Sequence, residues 1–186
     1  MMIERYEDPQ IAKIWSDKSK LRKWQEVELA VILAREQLNI FPAGTYQKIK
    51  DRLDHHPIDD EAVVWWKARD KEIHHDLNAF LDERLRHLPP ELHQFWHKGM
   101  TSFDTEEPAM ALLLRESVSQ LDTPYQRIKA NLVVIAEAYR YTPMLGRTHG
   151  QEAKLQSFGK RCLNWLKSFS IAYDQTLYAH KLTAQS

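Results

Sequence analysis

Cysteine and glycine are scarce in this chain. Its 186 residues include five glycines and a single cysteine, Cys162. A lone thiol excludes a disulfide within the chain and any site built from several thiolates of one chain, so we expect a protein of a reducing compartment, the cytoplasm. Alternating runs of β-branched residues bounded by turn signals are missing as well, and the sequence therefore predicts an all-α fold.

Long apolar runs and an excess of one charge are also missing. The N-terminus lacks the apolar core of a signal peptide, and no stretch approaches the roughly 18 apolar residues that span a membrane. Lys plus Arg and Asp plus Glu both number 26, which gives a formal net charge of +0. Because no global basic field favours nucleic acid or an anionic membrane, we expect neither as a partner, and any anion site has to be local.

Helical periodicity is the dominant pattern in this sequence. Over residues 19–38 the apolar positions recur every three or four residues, as on one face of an amphipathic helix. A longer helix is predicted to start after Asp59 or Asp60, either of which can act as its N-cap, and to continue to Leu85. Shorter helices are predicted at residues 9–15, 44–53 and 91–96.

Two longer helical patterns occupy the C-terminal part of the chain. They cover residues 105–141, where Pro124 should kink or restart the helix, and residues from 151 onward. Helices of about 35 residues are typical of bundles. We therefore expect a small N-terminal helical domain over residues 1–104 and the first long helices of an incomplete central bundle over residues 105–186. The last pattern has no stop signal, which indicates truncation or extensive oligomerisation, and we favour truncation.

The first candidate site is His149, which lies between Gly146 and Gly150. Thr148 and Gln151 have the spacing of a capping box, so Thr148 is predicted to be the N-cap of the following helix, with His149 in its first turn. Free N–H groups and the positive end of the helix dipole would favour an anion there and keep the imidazole neutral. The histidine could equally do no more than satisfy backbone groups in a turn.

A second candidate is the pair of hydroxyls at Thr101 and Ser102, which precede an acidic helical turn beginning at Asp104. Acidic residues in a first turn complement the helix dipole, so this position is predicted to be a helix N-terminus that can bind anions.

The basic residues of the first long helix are predicted to form one solvated face and not a nucleic-acid site. These are Lys18, Lys20, Arg22 and Lys23.

A third candidate is the run His74-His75-Asp76, placed by periodicity on the helix that starts near Asp60. Adjacent histidines lie about 100° apart on a helix, whereas helical metal pairs are separated by three or four residues. We therefore expect no metal site here. His75 and Asp76 alone could also be a satisfied polar pair.

Taken together, these motifs resemble those of one family in order and approximate spacing. They are Ile3-Glu4-Arg5-Tyr6, His75-Asp76, Gly99-Met100-Thr101-Ser102 with Asp104, and Gly146-Arg147-Thr148-His149-Gly150. The chain resembles the adenylosuccinate lyase family of the aspartase/fumarase superfamily, whose members are all-helical homotetramers. The resemblance extends over essentially the whole chain, and it implies only the N-terminal domain and the start of the central bundle of a longer protein.

The resemblance implies β-elimination of fumarate from adenylosuccinate, giving AMP, and from the succinyl-aminoimidazole carboxamide ribotide of purine biosynthesis. It implies His149 as the general acid and His75 as the histidine that orients the substrate. It implies neither a metal nor an organic cofactor, and a small-molecule substrate. The residues implied to bind substrate are Arg5 and Tyr6 at the nucleotide phosphate, His74 and Asp76 beside His75, Thr101 and Ser102 at the carboxylate, and Thr148.

Departures from the family pattern leave two alternatives open. The family's general base is a serine on a Gly/Ser-rich loop, which this chain lacks, so the chain alone is expected to be inactive. His74 stands where the family usually has arginine, and Phe103 replaces a small polar residue. A divergent fumarate-releasing lyase of the same superfamily and a non-catalytic helical assembly module are therefore the alternatives.

Overall fold

The computed structural model describes residues 4–183, and within them the predicted all-α fold is confirmed apart from one two-stranded hairpin. A 3₁₀-helix, Glu4–Tyr6, opens the described chain. The helices are α1 (Pro9–Ile14), α2 (Asp17–Gln37), α3 (Thr45–Asp54), α4 (Asp60–Ile73), α5 (Asp76–Leu85), α6 (Pro90–His93), α7 (Ser102–Ala138) and α8 (Phe158–Thr183). The strands are β1 (Pro143–Thr148) and β2 (Gln151–Ser157). No helix in this range is long and apolar enough to cross a membrane.

The chain divides into two compact units, Met1–Leu114 and Arg115–Gln185, apart from its last residue. We call them the first and second unit. Helix α7 begins in the first unit and ends in the second. The predicted domain boundary after residue 104 stays a prediction.

The core of the first unit is built on the apolar stripe of α2. Leu21, Trp24 and Val27 on this stripe are buried, as the periodicity predicted, whereas Ile32, which the predicted stripe did not include, is buried and Leu38 is exposed. Trp24 packs edge-on against Trp66 of α4, with ring centroids 6.3 Å apart, and against Phe80 of α5, at 5.4 Å. Aromatic contacts of this geometry bury large surfaces and fix the relative placement of the three helices.

Side chains cap helix starts in this unit, and the cap at Asp59 is one of the two alternatives that the sequence predicted for α4. Asp59 is the N-cap of α4, and its Oδ1 accepts a hydrogen bond from the Ala62 N–H at 3.0 Å. That bond is the main reason why the pKa of Asp59 is lowered from its ordinary value. Ser16 caps α2 in the same way by accepting from the Ser19 N–H. These caps satisfy N–H groups that have no partner within the helix.

The predicted single helix from residue 60 to Leu85 is wrong, because it breaks at the histidines. α4 ends at Ile73, and His74 follows in the left-handed region with φ 52 and ψ 41. His75 is extended and caps α5 by accepting the Asn78 N–H on Nδ1 at 3.3 Å. The two histidines therefore do not lie 100° apart on one helix. The local cap at His75 outweighs the continuous periodicity.

The second unit departs from prediction at its hairpin. The helix expected from residue 151 begins only at Phe158, because residues 143–148 and 151–157 pair as antiparallel strands instead. The turn between them contains His149 and Gly150, with φ of 50° and 75°. Positive φ at both central residues is characteristic of the type I′ turn, a common two-residue hairpin turn, and Gly150 adopts it without steric cost.

Helix α7 continues through Pro124, so the predicted restart there is wrong. Pro124 removes one helical hydrogen bond, but the next residue anchors the helix: Tyr125 is buried and stacks on Tyr173 of α8, with ring centroids 3.6 Å apart. The start of α8 is tied to the end of α7 as well. A Cβ on Gly159 would lie 2.4 Å from the Ala136 carbonyl oxygen, so only glycine permits this approach.

Candidate functional site

His75 is held as a helix cap with one ring nitrogen directed away from its own helix. Its Nδ1 accepts the Asn78 N–H at 3.3 Å, and its Nε2 lies 3.4 Å from the Oγ of Ser102. Because the bonded Nδ1 acts as acceptor, the neutral ring carries its proton on Nε2. The imidazole is exposed. A donor N–H and a hydroxyl therefore meet at one accessible point.

The hydroxyl motif lies where the sequence predicted it, at the start of α7. Ser102 is the first residue of the helix, and Asp104 accepts the Thr101 N–H on Oδ2 at 2.8 Å. This is the back-bond of a capping box. The exposed Thr101 and the half-buried Ser102 thus present hydroxyls next to helical N–H groups, an arrangement suited to carboxylate oxygens.

Side chains of α2 hold both helix starts of this candidate site, the one at His75 and the one at Thr101. Lys20 donates from Nζ to the Asp76 Oδ2 at 2.9 Å, next to His75. Eight residues further along α2, Glu28 is completely buried and accepts two hydrogen bonds on Oε1. The donors are the Thr105 hydroxyl at 2.6 Å and the His97 Nδ1 at 2.7 Å. The first turn of α7 and the segment leading into it are therefore fixed from the same helix.

At the two carboxylates beside His75, burial and the nearest charge act against each other on the pKa of Asp76 and together on the pKa of Glu106. Burial raises the pKa of Asp76, but the hydrogen bond and positive charge of Lys20, with the Leu77 N–H, outweigh it and leave this pKa below its ordinary value. The pKa of Glu106 is raised, first by burial and then by the negative charge of Asp76. Asp76 therefore keeps its negative charge to lower pH than Glu106 does, and Lys20 balances that charge.

Sequence reasoning missed the contributions of Lys20, Glu28 and Glu106. The charge pattern predicts that Lys20 lies on a solvated basic face, yet its ammonium lies 4.3 Å from the ring centroid of Trp24 and pairs with Asp76. One signal was available, because Lys20 precedes Trp24 by four residues and so shares its face of the helix. Nothing in the sequence indicated that Glu28, one residue after the apolar stripe position Val27, is buried.

The predicted capping box at Thr148 and Gln151 is wrong. Thr148 ends β1 and pairs with Gln151, the first residue of β2, so no helix N-terminus lies beside His149. The expected dipole contribution to an anion site at this place is therefore lost. Thr148 and His149 are both exposed, and His149 projects from the tip of the hairpin. Their roles in binding and proton transfer stay predictions.

The remaining predicted substrate residues are accessible. Arg5 and Tyr6 lie in the 3₁₀-helix, where the Arg5 guanidinium sits 4.7 Å from the centroid of the Tyr6 ring. Tyr6 is 69% exposed. His74 is exposed at the end of α4.

The described structure contains no candidate metal site. Within residues 4–183, no three or more His, Cys, Asp or Glu side chains form a group that could hold a metal ion.

Comparison with known sequences places these features in context. Residues 4–185 match a protein family described as lyase. The adenylosuccinate lyase of Thermotoga maritima is 35% identical over 164 residues, which are 88% of this chain and 36% of that protein. The adenylosuccinate lyase of Deinococcus radiodurans is 32% identical over 89% of this chain and 38% of its own length. The chain thus spans well under half the length of these curated relatives.

Comparison with solved structures confirms the fold. The fumarate lyase from Mesorhizobium sp. BNC1 superposes with a TM-score of 0.85 at 21% identity, over 96% of this chain and 41% of that one. The β-carboxy-cis,cis-muconate cycloisomerase from Acinetobacter calcoaceticus gives a TM-score of 0.81 at 19% identity, over 92% of this chain and 40% of that one. At such identities the likeness concerns the fold alone.

Proposed function

This chain belongs to the lyase family that its residues 4–185 match, and from that premise we propose that it is the N-terminal portion of an adenylosuccinate lyase. The complete protein releases fumarate from adenylosuccinate, leaving AMP, and from the succinyl-aminoimidazole carboxamide ribotide of purine biosynthesis. The observation that carries this proposal is the meeting of the His75 Nε2 with the Ser102 Oγ at two helix starts, a group suited to a carboxylate-bearing substrate.

The elimination needs three actions. A base removes a proton from the carbon next to a carboxylate, the C–N bond breaks with its electron pair leaving on nitrogen, and an acid protonates that nitrogen. His149 is the acid in this proposal, since its imidazole is exposed and imidazole is the side chain that most often transfers protons in enzymes. The base comes from a segment outside this chain, so the chain alone is inactive.

Substrate binding is divided among the other residues of the site. Thr101 and Ser102 hold a carboxylate through hydroxyl and N–H donors, which also stabilises the negative charge that builds up when the proton is removed. His75, with Asp76 next to it, orients the substrate. Four further residues complete the proposed contacts: Arg5 and Tyr6 at the nucleotide phosphate, His74 beside His75, and Thr148 beside His149.

The complete protein is proposed to be a cytoplasmic homotetramer. Exposed apolar side chains on both long helices of the second unit support assembly, because helices of this length bury their apolar faces in bundles. Examples are Val134 on α7, at 65% exposure, and Tyr178 on α8, also at 65%. In such an assembly the active site draws residues from more than one subunit. Neither nucleic acid nor membrane is proposed as a partner.

A divergent fumarate-releasing lyase of the same superfamily is the second candidate. It is favoured by Phe103, an apolar residue that is 65% exposed directly after Ser102, at a position where the family has a small polar residue. His74 supports the same alternative, because an imidazole is a weaker anion partner than arginine at neutral pH.

The test is an assay of the complete protein with three substrates: adenylosuccinate, argininosuccinate and malate. The proposal predicts fumarate release from adenylosuccinate at a kcat/KM far above those for the other two. Release from a different succinylated amine alone would favour the divergent lyase. Absence of lyase activity toward every one of them would contradict the proposal and favour the non-catalytic helical module.

A further inference from the structure

Lys20 is the only cation that the described structure pairs directly with Asp76. Its Nζ lies 2.9 Å from the Asp76 Oδ2, and the same carboxylate accepts the Leu77 N–H on its other oxygen. The backbone carbonyl of Asp76 accepts the Trp66 Nε1–H at 2.8 Å. Asp76 is therefore fixed at three atoms, and Lys20 supplies the only charge among these contacts.

Two indole rings hold the Lys20 ammonium in place. Its Nζ is 4.3 Å from the ring centroid of Trp24 and 5.3 Å from that of Trp66. An ammonium over indole faces gains cation–π attraction and loses rotational freedom, so the charge stays beside Asp76. Trp24 and Trp66 are buried core residues, which makes this cage a rigid part of the first unit.

The site would otherwise carry mostly negative charge. Asp76 lies beside His75, Asp104 binds the Thr101 N–H, and Glu106 is close enough to feel both Asp76 and Lys20. A substrate with two carboxylates would be repelled by such a group. Neutralising Asp76 removes the negative charge closest to His75.

We propose that Lys20 is a positioning residue that neutralises Asp76 and so lets a dicarboxylate substrate reach His75 and Ser102. This role rests on the proposed function. It predicts that Lys20 acts mainly on substrate binding, because its charge balances the site before and during the reaction alike.

The experiment compares Lys20→Met with Lys18→Met in the complete protein. Lys18 is a matched control on the same helix: it pairs with Asp60 at 2.8 Å and its side chain is 31% exposed, against 2.9 Å and 36% for Lys20. Lys20→Met should raise the KM for adenylosuccinate by on the order of tenfold with kcat changed less than about threefold. The KM of Lys18→Met should stay at the wild-type value.

Two further variants separate charge from shape. Lys20→Arg keeps the charge and should restore most of the wild-type KM, whereas Lys20→Gln keeps a hydrogen-bond donor without charge and should behave like Lys20→Met. The KM difference between Lys20→Gln and wild type should narrow as salt is added, because ions screen the repulsion by the uncovered carboxylate. A loss of packing alone would not respond to salt in this way. Lys20→Gln also replaces Lys20→Met if the apolar variant fails to fold.

The outcomes of these experiments distinguish the role of Lys20 from the proposed function of the complete protein. A wild-type KM in an active, folded Lys20→Gln variant would overturn the role of Lys20 and leave the proposed function intact. An equal rise of KM in Lys18→Met would also overturn it. An inactive wild-type protein would overturn the proposed function and this role with it. In the 186-residue chain, carboxyl NMR of Lys20→Gln should show a higher pKa for Asp76, and an unchanged pKa would contradict the neutralisation.

Discussion

Replacing Glu28 with alanine should destabilise the first unit severely, although Glu28 lies outside the predicted site. Its Oε1 accepts from the Thr105 hydroxyl at 2.6 Å and from the His97 Nδ1 at 2.7 Å, and Thr105 is completely buried. A hydrogen bond to a charged group contributes about 1.5–3 kcal/mol, and a donor left buried without a partner adds to the loss. Part of this loss in stability is offset, because the variant no longer buries a carboxylate whose Oε2 has no hydrogen-bond partner. We expect Glu28→Ala to cost about 3–5 kcal/mol.

Glu28→Gln is the informative companion variant. Its amide oxygen can still accept from Thr105 and His97, while the cost of burying a charge disappears, so we expect a change of about 1 kcal/mol or less. Glu26→Ala is the control, because Glu26 is exposed and pairs only with the neighbouring Lys23 in the described contacts. An exposed pair of this kind contributes roughly 0–1 kcal/mol.

Urea denaturation of the 186-residue chain measures these differences. Tryptophan fluorescence reports mainly on the first unit, because Trp165 is the only tryptophan outside it. Glu28→Ala should lower the midpoint without changing the slope. A loss of less than about 1 kcal/mol in Glu28→Ala, or an equal loss in Glu28→Gln, would refute the hydrogen-bond count on which the estimate depends.

Three further predictions concern other parts of the chain. Gly159→Ala should lower the thermal midpoint of the second unit, at a cost of about 2 kcal/mol, because its Cβ would collide with a backbone carbonyl at 2.4 Å; calorimetry beside exposed Lys160→Ala tests this. The hydrogen bond to Asp122 raises the pKa of Tyr173 to about 12, so Asp122→Asn should lower that pKa toward 10 in an NMR titration, and no change would refute the cause. The pKa of Asp76 is lowered, so its contribution to stability is complete above the ordinary 3.8 and is lost as the pH falls through its folded pKa; urea midpoints of wild type and Asp76→Asn should therefore begin to converge only when the pH falls below 3.8 and should meet below the folded pKa.

The helices of the first unit were predictable because their signals are local. Apolar residues at helical spacing put Leu21, Trp24 and Val27 on one face of α2, and a carboxylate at Asp59 precedes the helix α4. The break at His74 was not predictable in this way. Periodicity continues across it, and only the cap formed by His75 ends one helix and starts another.

The hairpin was missed because its strand residues also favour helix. The segment Glu152-Ala153-Lys154-Leu155 consists of good helix formers, and strand pairing outweighs their intrinsic preference. His149 and Gly150 also fit a two-residue hairpin turn, but the segment was interpreted as a capping box instead. The sequence motif therefore singled out His149 as a candidate but assigned it the wrong local structure.

The positioning of the candidate site depends on contacts between residues far apart in sequence. Lys20 and Asp76 are separated by 56 positions, and Glu28 and Thr105 by 77. No rule of sequence spacing relates residues this far apart. The basic run that contains Lys20 therefore gave no indication of Asp76, and Glu28 gave none of Thr105. Such contacts become visible only once α2 is packed against the two turns.

The most direct test of the central claim is the activity of His149→Asn in the complete protein. Asparagine tolerates the left-handed conformation that His149 adopts at φ 50, so the hairpin keeps its shape, but its amide cannot donate a proton as imidazolium does. We expect fumarate release from adenylosuccinate to fall by about 10²-fold or more in this variant, while His180→Asn on α8 has wild-type activity. Wild-type fumarate release by folded His149→Asn would contradict it.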